Sequence, residues 1–214
     1  MQQVLDLFLH LDHHVADIIQ QYGTWVYLII FVIIFCETGL VFTPFLPGDS
    51  LLFVLGTFSA TGALELKWVL LILFSAAIIG DNTNYWIGRL LAPKIFKKKH
   101  IRFLNQKHLA RTQLFYEKYG VSTIIIARFM PIIRTFAPFL AGVGSMRYLR
   151  FFLFDVFGGL LWVGVVTLGG YFFGNIPTVR KHFSLVVLAI IIISLIPAVV
   201  EYLRHRKDAD SVSI

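Results

Sequence analysis

Apolar residues recur at helical spacing from Val4 to Ile19, with Asp6, His10, His13 and Asp17 on the other side. That pattern predicts an amphipathic helix over 4–19, lying on a membrane surface rather than crossing it. Gly23 and Thr24 open an oily region, 25–64, about twice the roughly 20 residues that one crossing needs. Its middle, "CETGLVFTPFLPGDSLL" (36–52), carries two acids, Glu37 and Asp49, and the breakers Pro44, Pro47 and Gly48. A helix that enters the bilayer, breaks and returns accommodates these residues better than two plain crossings. Non-helical backbone survives at membrane depth only where protein buries it or a wet cavity borders it.

The pattern repeats further on. Residues 67–91 predict a crossing. A basic, solvated loop over 93–118 follows, with eight Lys or Arg between Lys94 and Lys118. A second broken apolar region, 120–145, is interrupted by Arg128, Pro131, Arg134 and Pro138. Residues 151–173 and 183–203 predict two conventional crossings, and 204–214 a polar tail. "TPFLPG" (43–48) and "APFLAG" (137–142) match at Pro44/Pro138, Phe45/Phe139, Leu46/Leu140 and Gly48/Gly142, at a constant offset of 94. The expected fold is therefore all-α. It is a single polytopic membrane domain, 1–214, with two oppositely oriented re-entrant broken-helix hairpins, an inverted repeat of the kind that places transporter sites near the midplane. Pro44, Pro47, Gly48, Pro131, Pro138 and Gly142 are its expected hinges. The Lys/Arg bias puts the basic loop and the C-terminus in the cytoplasm; the first 24 residues hold no Lys or Arg to decide their own side.

Composition agrees with a membrane protein. Of 214 residues 57% are hydrophobic and 14% charged, against about 25% charged in a typical soluble domain. The mean hydropathy is +0.78. The net charge of +7 does not make a nucleic-acid surface, because the aromatics lie inside apolar runs rather than on a basic solvated face. A positively charged leader is absent from the first 24 residues, so no cleavable signal is expected. One cysteine, Cys36, excludes an internal disulfide.

The charges inside the oily regions carry the chemistry. A lone charged side chain at the bilayer centre costs roughly 2.5–3.5 kcal/mol on insertion scales. Glu37 and Asp49 in the first broken region can cancel Arg128 and Arg134 in the second, which predicts that the two regions meet. The planar arginine fork suits a phosphate, and a buried carboxylate can take up or release a proton. Arg128 and Arg134 are thus the candidate phosphate ligands, and Glu37 and Asp49 the candidate proton-coupling pair. Asp81, Asn84 and Tyr85 share one helix face with Gly88 and, with Thr135, are candidate cavity-lining residues. Asp155, isolated in "FFLFDVFGG", is expected at the headgroup boundary.

The quoted segments "ETG" with "FLPGDSLL" (37–52), "GDNTNYWIGR" (80–89) and "ARFMPIIRTFAPFLAG" (127–142) resemble the DedA family of membrane proteins, within the SNARE-associated/VTT-domain superfamily. The likeness covers nearly the whole chain. It implies a lipid transporter of the bacterial inner membrane moving undecaprenyl phosphate or a phospholipid, with proton-motive-force coupling. It also implies that Glu37, Asp49, Arg128 and Arg134 are required for function.

Alternatives are weaker on the residues. A lipid phosphatase needs a nucleophile with a base or metal ligands, and histidines occur only at the edges of the apolar segments. His10, His13 and His14 with Asp6 and Asp17 are explained by a polar helix face, so no metal and no cofactor are expected. An ion or proton transporter with secondary effects on the envelope would use the same buried charges. The expected partners are a lipid phosphate and protons, with no nucleic acid; a homo-oligomer is left open.

Overall fold

The computed structural model describes residues 21–39, 48–97, 131–144 and 146–177, with residues 124, 125, 128, 179, 186, 189 and 190. The expected amphipathic helix, most of the basic loop, Pro44, Pro47, and nearly all of the 183–203 crossing and the tail lie outside these residues. Regular structure among the described residues is helical throughout. A 3-10 turn, Gly23–Trp25, leads into α1 (Val26–Gly39), followed by α2 (Gly48–Ala60), α3 (Leu66–Lys97), α4 (Pro131–Val143) and α5 (Tyr148–Phe173).

Length sorts these helices into two kinds. At 1.5 Å per residue, α3 and α5 are about 48 and 39 Å long, enough for a hydrocarbon core of about 30 Å. Among the described residues they are the two helices both long and apolar enough to cross. Helices α1, α2 and α4, of 14, 13 and 13 residues, reach only about 20 Å. The α3 helix continues to Lys97, past the expected end at 91, because Leu90, Leu91 and Ala92 prolong its apolar face into the first lysines. Pro131 begins α4, where a missing N–H costs nothing. Pro138 and Gly142 were expected at a break, but α4 runs through both; the proline only leaves the Arg134 carbonyl without its helical donor.

The packing has a repeated grammar. A Cβ placed on Gly170 of α5 would lie 2.0 Å from the Phe53 carbonyl oxygen of α2, and one on Gly88 of α3 would lie 2.2 Å from that of Phe139 in α4. Reciprocally, a Cβ on Gly56 would meet the Thr167 carbonyl oxygen at 2.0 Å and the Tyr171 nitrogen at 2.9 Å. One on Gly142 would meet those of Tyr85 and Arg89 at the same two distances. Each short helix thus touches a long helix backbone to backbone, which only glycine permits. The residues in equivalent contacts are Phe53/Phe139 and Gly56/Gly142, an offset of 86. The short helices are therefore equivalent by "FVLG" and "FLAG", and the offset of 94 suggested by "TPFLPG" is displaced by two turns.

Directions follow from the same contacts. Along α2, Asp49 meets Trp162, Phe53 meets Gly170 and Thr57 meets Gly174, so α2 runs parallel to α5. Along α4, Thr135 meets Asn84, Phe139 meets Gly88 and Gly142 meets Arg89, so α4 runs parallel to α3. The long helices run in opposite senses, since Ile78 faces Gly159, Tyr85 faces Phe151 and Trp86 faces Tyr148. Helix α1 crosses α3 where Gly39 and Gly80 approach closely. The apolar core (Ile34, Leu52, Leu55, Leu73, Trp162) sits between α1, α2, α3 and α5.

Candidate functional site

Helix α1 ends in "ETG" and α2 begins at Gly48, so the Glu37 carboxyl meets the first turn of α2. A Cβ on Gly48 would fall 2.1 Å from Glu37 Oε2. Glycine at 48 therefore leaves room for an acid at a helix N-terminus, where the backbone dipole favours negative charge. Arg134, in the first turn of α4, bridges both acids. Its Nη2 donates to Glu37 Oε1 and its Nη1 to Asp49 Oδ1 at 3.0 Å. Trp162 of α5 donates from Nε1 to the same Asp49 oxygen at 2.7 Å. Its ring also lies 4.4 Å from the guanidinium carbon of Arg134, a cation–π contact. Four helices thus converge on one arginine. Glu37 and Arg134 are essentially closed off, whereas the Asp49 side chain keeps 18% exposure, so Asp49 is the side on which this cluster opens.

Arg128 lies elsewhere. It was expected to share Glu37 and Asp49, but its Nη2 donates at 2.5 Å to Asp81 Oδ2 of α3 and at 2.5 Å to Asp155 Oδ1 of α5. Asp155 is fully buried in the protein, where Ile125 and Arg128 pack against Gly158 and Arg128 against Gly159. The described ionic site is two clusters, each one arginine between two carboxylates.

The rest of the α3 face joins these clusters to the helix seams. Asn84 donates from Nδ2 to the Thr135 carbonyl at 2.6 Å and to the Thr38 carbonyl at 3.3 Å, tying α4 to the last turn of α1, where carbonyls lack a helical donor. Thr135 is buried there. The Tyr85 ring stacks on Phe151 with centroids 4.6 Å apart; its hydroxyl donates to the Met146 carbonyl at 2.6 Å and accepts from Arg89 at 2.8 Å. A separate, mainly apolar groove of about 560 Å³ lies between α3 and α5, lined by Ile78, Asn82, Trp86, Tyr148 and Phe152 among others. None of the clustered charges lines it. Among the described residues, several polar atoms in the clusters have no hydrogen-bond partner: Nε and Nη1 of Arg128, Nε of Arg134, Oε2 of Glu37, Oδ1 of Asp81 and Oδ2 of Asp155. Among the described residues no three His, Cys, Asp or Glu gather as a metal site would require.

Comparison with known proteins identifies the family. The VTT domain model matches residues 46–172, which include α2 through nearly all of α5. Protein DedA of Escherichia coli K12 is 49% identical over 208 residues, 96% of this chain and 95% of that protein. The chain belongs to the DedA family. Another relative of this DedA family member is the uncharacterized membrane protein Rv0364 of Mycobacterium tuberculosis, 47% identical over 185 residues, 84% of this chain and 81% of that one. The inner membrane protein YqjA of E. coli K12 is 36% identical over 156 residues, 73% of this chain and 71% of that protein. No solved structure matches. The protein is accordingly a membrane protein, and none of these names carries an enzymatic activity.

Proposed function

We propose that this DedA family member carries a lipid phosphate, undecaprenyl phosphate or a phospholipid, across the bacterial inner membrane, coupled to protons. The observation that carries the reading is Arg134, a buried cation held by Glu37 and Asp49 at the junction of three short helices. In the empty carrier the acids occupy the guanidinium fork. An arriving phosphate competes for that fork, and protonation of Glu37 or Asp49 weakens the carboxylate hold and tips the exchange toward phosphate. Arg128 is the second phosphate ligand in this reading. The guanidinium N–H groups without acceptors on both arginines are spare donors for phosphate oxygens. Burying ion pairs seldom stabilises a fold over apolar replacements, which supports a functional use.

The architecture we propose is an inverted repeat, with α1–α2 and the 120–145 region as re-entrant hairpins entering from opposite sides. The antiparallel long helices, the short-helix lengths and the matched Gly56/Gly142 contacts support it. So does charge placement. Arg89, Arg147 and Arg150 stand where α3 ends and α5 begins, whereas Lys67 stands at the other end of α3. The positive-inside rule assigns the former end to the cytoplasm.

The test is a headgroup-accessibility assay in proteoliposomes containing a reporter lipid phosphate. Wild-type protein should equilibrate the headgroup between leaflets, and Arg134→Lys should slow this at least tenfold although charge is kept. Full activity in Arg134→Lys would remove the phosphate clamp. A second reading, proton or ion transport without lipid cargo, is favoured by the surplus of acids over arginines in the two clusters. Ion flux in liposomes lacking any lipid phosphate would select it.

A further inference from the structure

The Arg128 cluster has a charge problem that the phosphate reading does not use. Two carboxyl groups, Asp81 on α3 and Asp155 on α5, each place an oxygen 2.5 Å from the same nitrogen, Nη2 of Arg128. Those oxygens therefore lie within twice that distance of each other. Two ionised carboxylates this close repel one another, and a single proton shared by the pair removes that repulsion. The three side chains are 1–2% exposed, so water does not screen the pair. Oδ1 of Asp81 and Oδ2 of Asp155 have no donor, and Arg128 offers only one positive charge.

The surroundings offer no other compensation among the described residues. From α4, Arg134 is the further cation near enough to act on Asp81, but it already serves Glu37 of α1 and Asp49 of α2. A metal ion would face the Arg128 guanidinium and lack a third His, Cys, Asp or Glu ligand.

We propose that Asp81 and Asp155 form a proton-binding site that holds one proton between them, separate from the Glu37–Asp49 pair. The reaction is simple protonation: a carboxylate oxygen takes H⁺ from hydronium, one O–H bond forms, and water is left. With one proton the cluster is neutral, as a buried site in a bilayer requires. Loss of that proton makes the pair dianionic and tightens its grip on Arg128; a second proton releases Arg128 altogether. The site therefore sets when Arg128 is available. This inference does not depend on a lipid cargo, since the charge count is the same for any function.

Infrared spectroscopy of the purified protein in detergent, without added lipid phosphate, tests it. Wild-type protein at neutral pH should show the carbonyl band of a protonated, buried carboxylic acid. Asp81→Asn and Asp155→Asn should each remove or reduce that band, because the remaining carboxylate then forms a simple ion pair with Arg128. Glu37→Gln and Asp49→Asn should leave that contribution in place. A wild-type spectrum with no such band, a band reduced by neither Asp substitution, or one removed by Glu37→Gln alone would overturn the proposal. If one Asp variant does not fold, the other and the wild-type spectrum decide. Because no lipid phosphate is added, failure of transport and failure of this site are separate results.

Discussion

Arg134 grips Glu37 across 97 residues of chain, and the same guanidinium reaches Asp49 with its other terminal nitrogen. One fork thereby joins the end of α1, the start of α2 and the start of α4. Lysine has a single point charge and cannot span both acids in the same plane. Arg134→Lys should therefore leave one acid unpaired. Removing one partner of a buried ion pair costs about 3–5 kcal/mol, so Arg134→Ala should lower thermal stability in detergent by that amount, and Arg134→Lys by less. A melting temperature unchanged in Arg134→Ala would mean that this cluster is not closed as described.

The glycine contacts make a paired prediction. Gly56→Ala and Gly142→Ala each put a methyl about 2.0 Å from a facing carbonyl oxygen, inside any real contact distance. Overpacking typically costs about 1–3 kcal/mol, and here the obstacle is backbone, which yields poorly. Both variants should be destabilised to a similar degree, because their surroundings match. Gly164 and Gly169 have nothing within 4 Å of an added Cβ, and alanine there should change stability by no more than about 0.5 kcal/mol. Unfolding temperatures of the four variants check this; a wide gap between Gly56→Ala and Gly142→Ala would break the equivalence of the two helix seams.

The meeting of Glu37, Asp49 and Arg134 was legible in the sequence because charge in an oily run must be compensated, and few groups were available to do it. The same reasoning stopped short at Arg128. Asp155 stands alone in an apolar run, and nothing in its neighbours along the chain marks it as a partner of Arg128. What packs beside it is Ile125 and Arg128 against the glycine pair 158–159, a tertiary contact with no local signature. Counting over all apolar segments finds five acids (Glu37, Asp49, Asp81, Asp155 and Glu201) against three arginines (Arg89, Arg128 and Arg134), and setting aside Glu201 and Arg89 near segment ends leaves Asp81 and Asp155 as the uncompensated acids. The repeat was visible but misaligned: proline and glycine identities drew the eye to "TPFLPG", whereas the structure matches helices by which glycine touches backbone. The hinge expectation at Pro138 and Gly142 fails for a related reason. A proline seven residues into α4 costs one hydrogen bond and does not end the helix.

Trp162 separates two contributions at one position. Trp162→Phe keeps a ring against Arg134 and deletes the Nε1 donor to Asp49; Trp162→Leu deletes both. Hydrogen bonds to charged groups contribute about 1.5–3 kcal/mol, and a cation–π contact about 0.5–2 kcal/mol. The leucine variant should therefore be the less stable of the two. Denaturant titration in detergent, followed by far-ultraviolet dichroism, measures the order. Equal stabilities would show that the ring contact contributes nothing.

Gly48 gives the sharpest test of the site, because its role is space rather than chemistry. A Cβ there would lie 2.1 Å from Glu37 Oε2 and 2.4 Å from Oε1, so Gly48→Ala must push the Glu37 carboxyl away from the first turn of α2 and away from Arg134. The variant should then behave like Glu37→Gln in the headgroup-accessibility assay, both at least tenfold slower than wild type. Shortening the acid should relieve the clash, since aspartate places its carboxyl one methylene back along α1. Gly48→Ala combined with Glu37→Asp should accordingly be more active than Gly48→Ala alone, a non-additive result that only neighbouring residues produce. If Gly48→Ala is as active as wild type, the Glu37 carboxyl does not sit at the start of α2, and the arrangement around Arg134 falls with it.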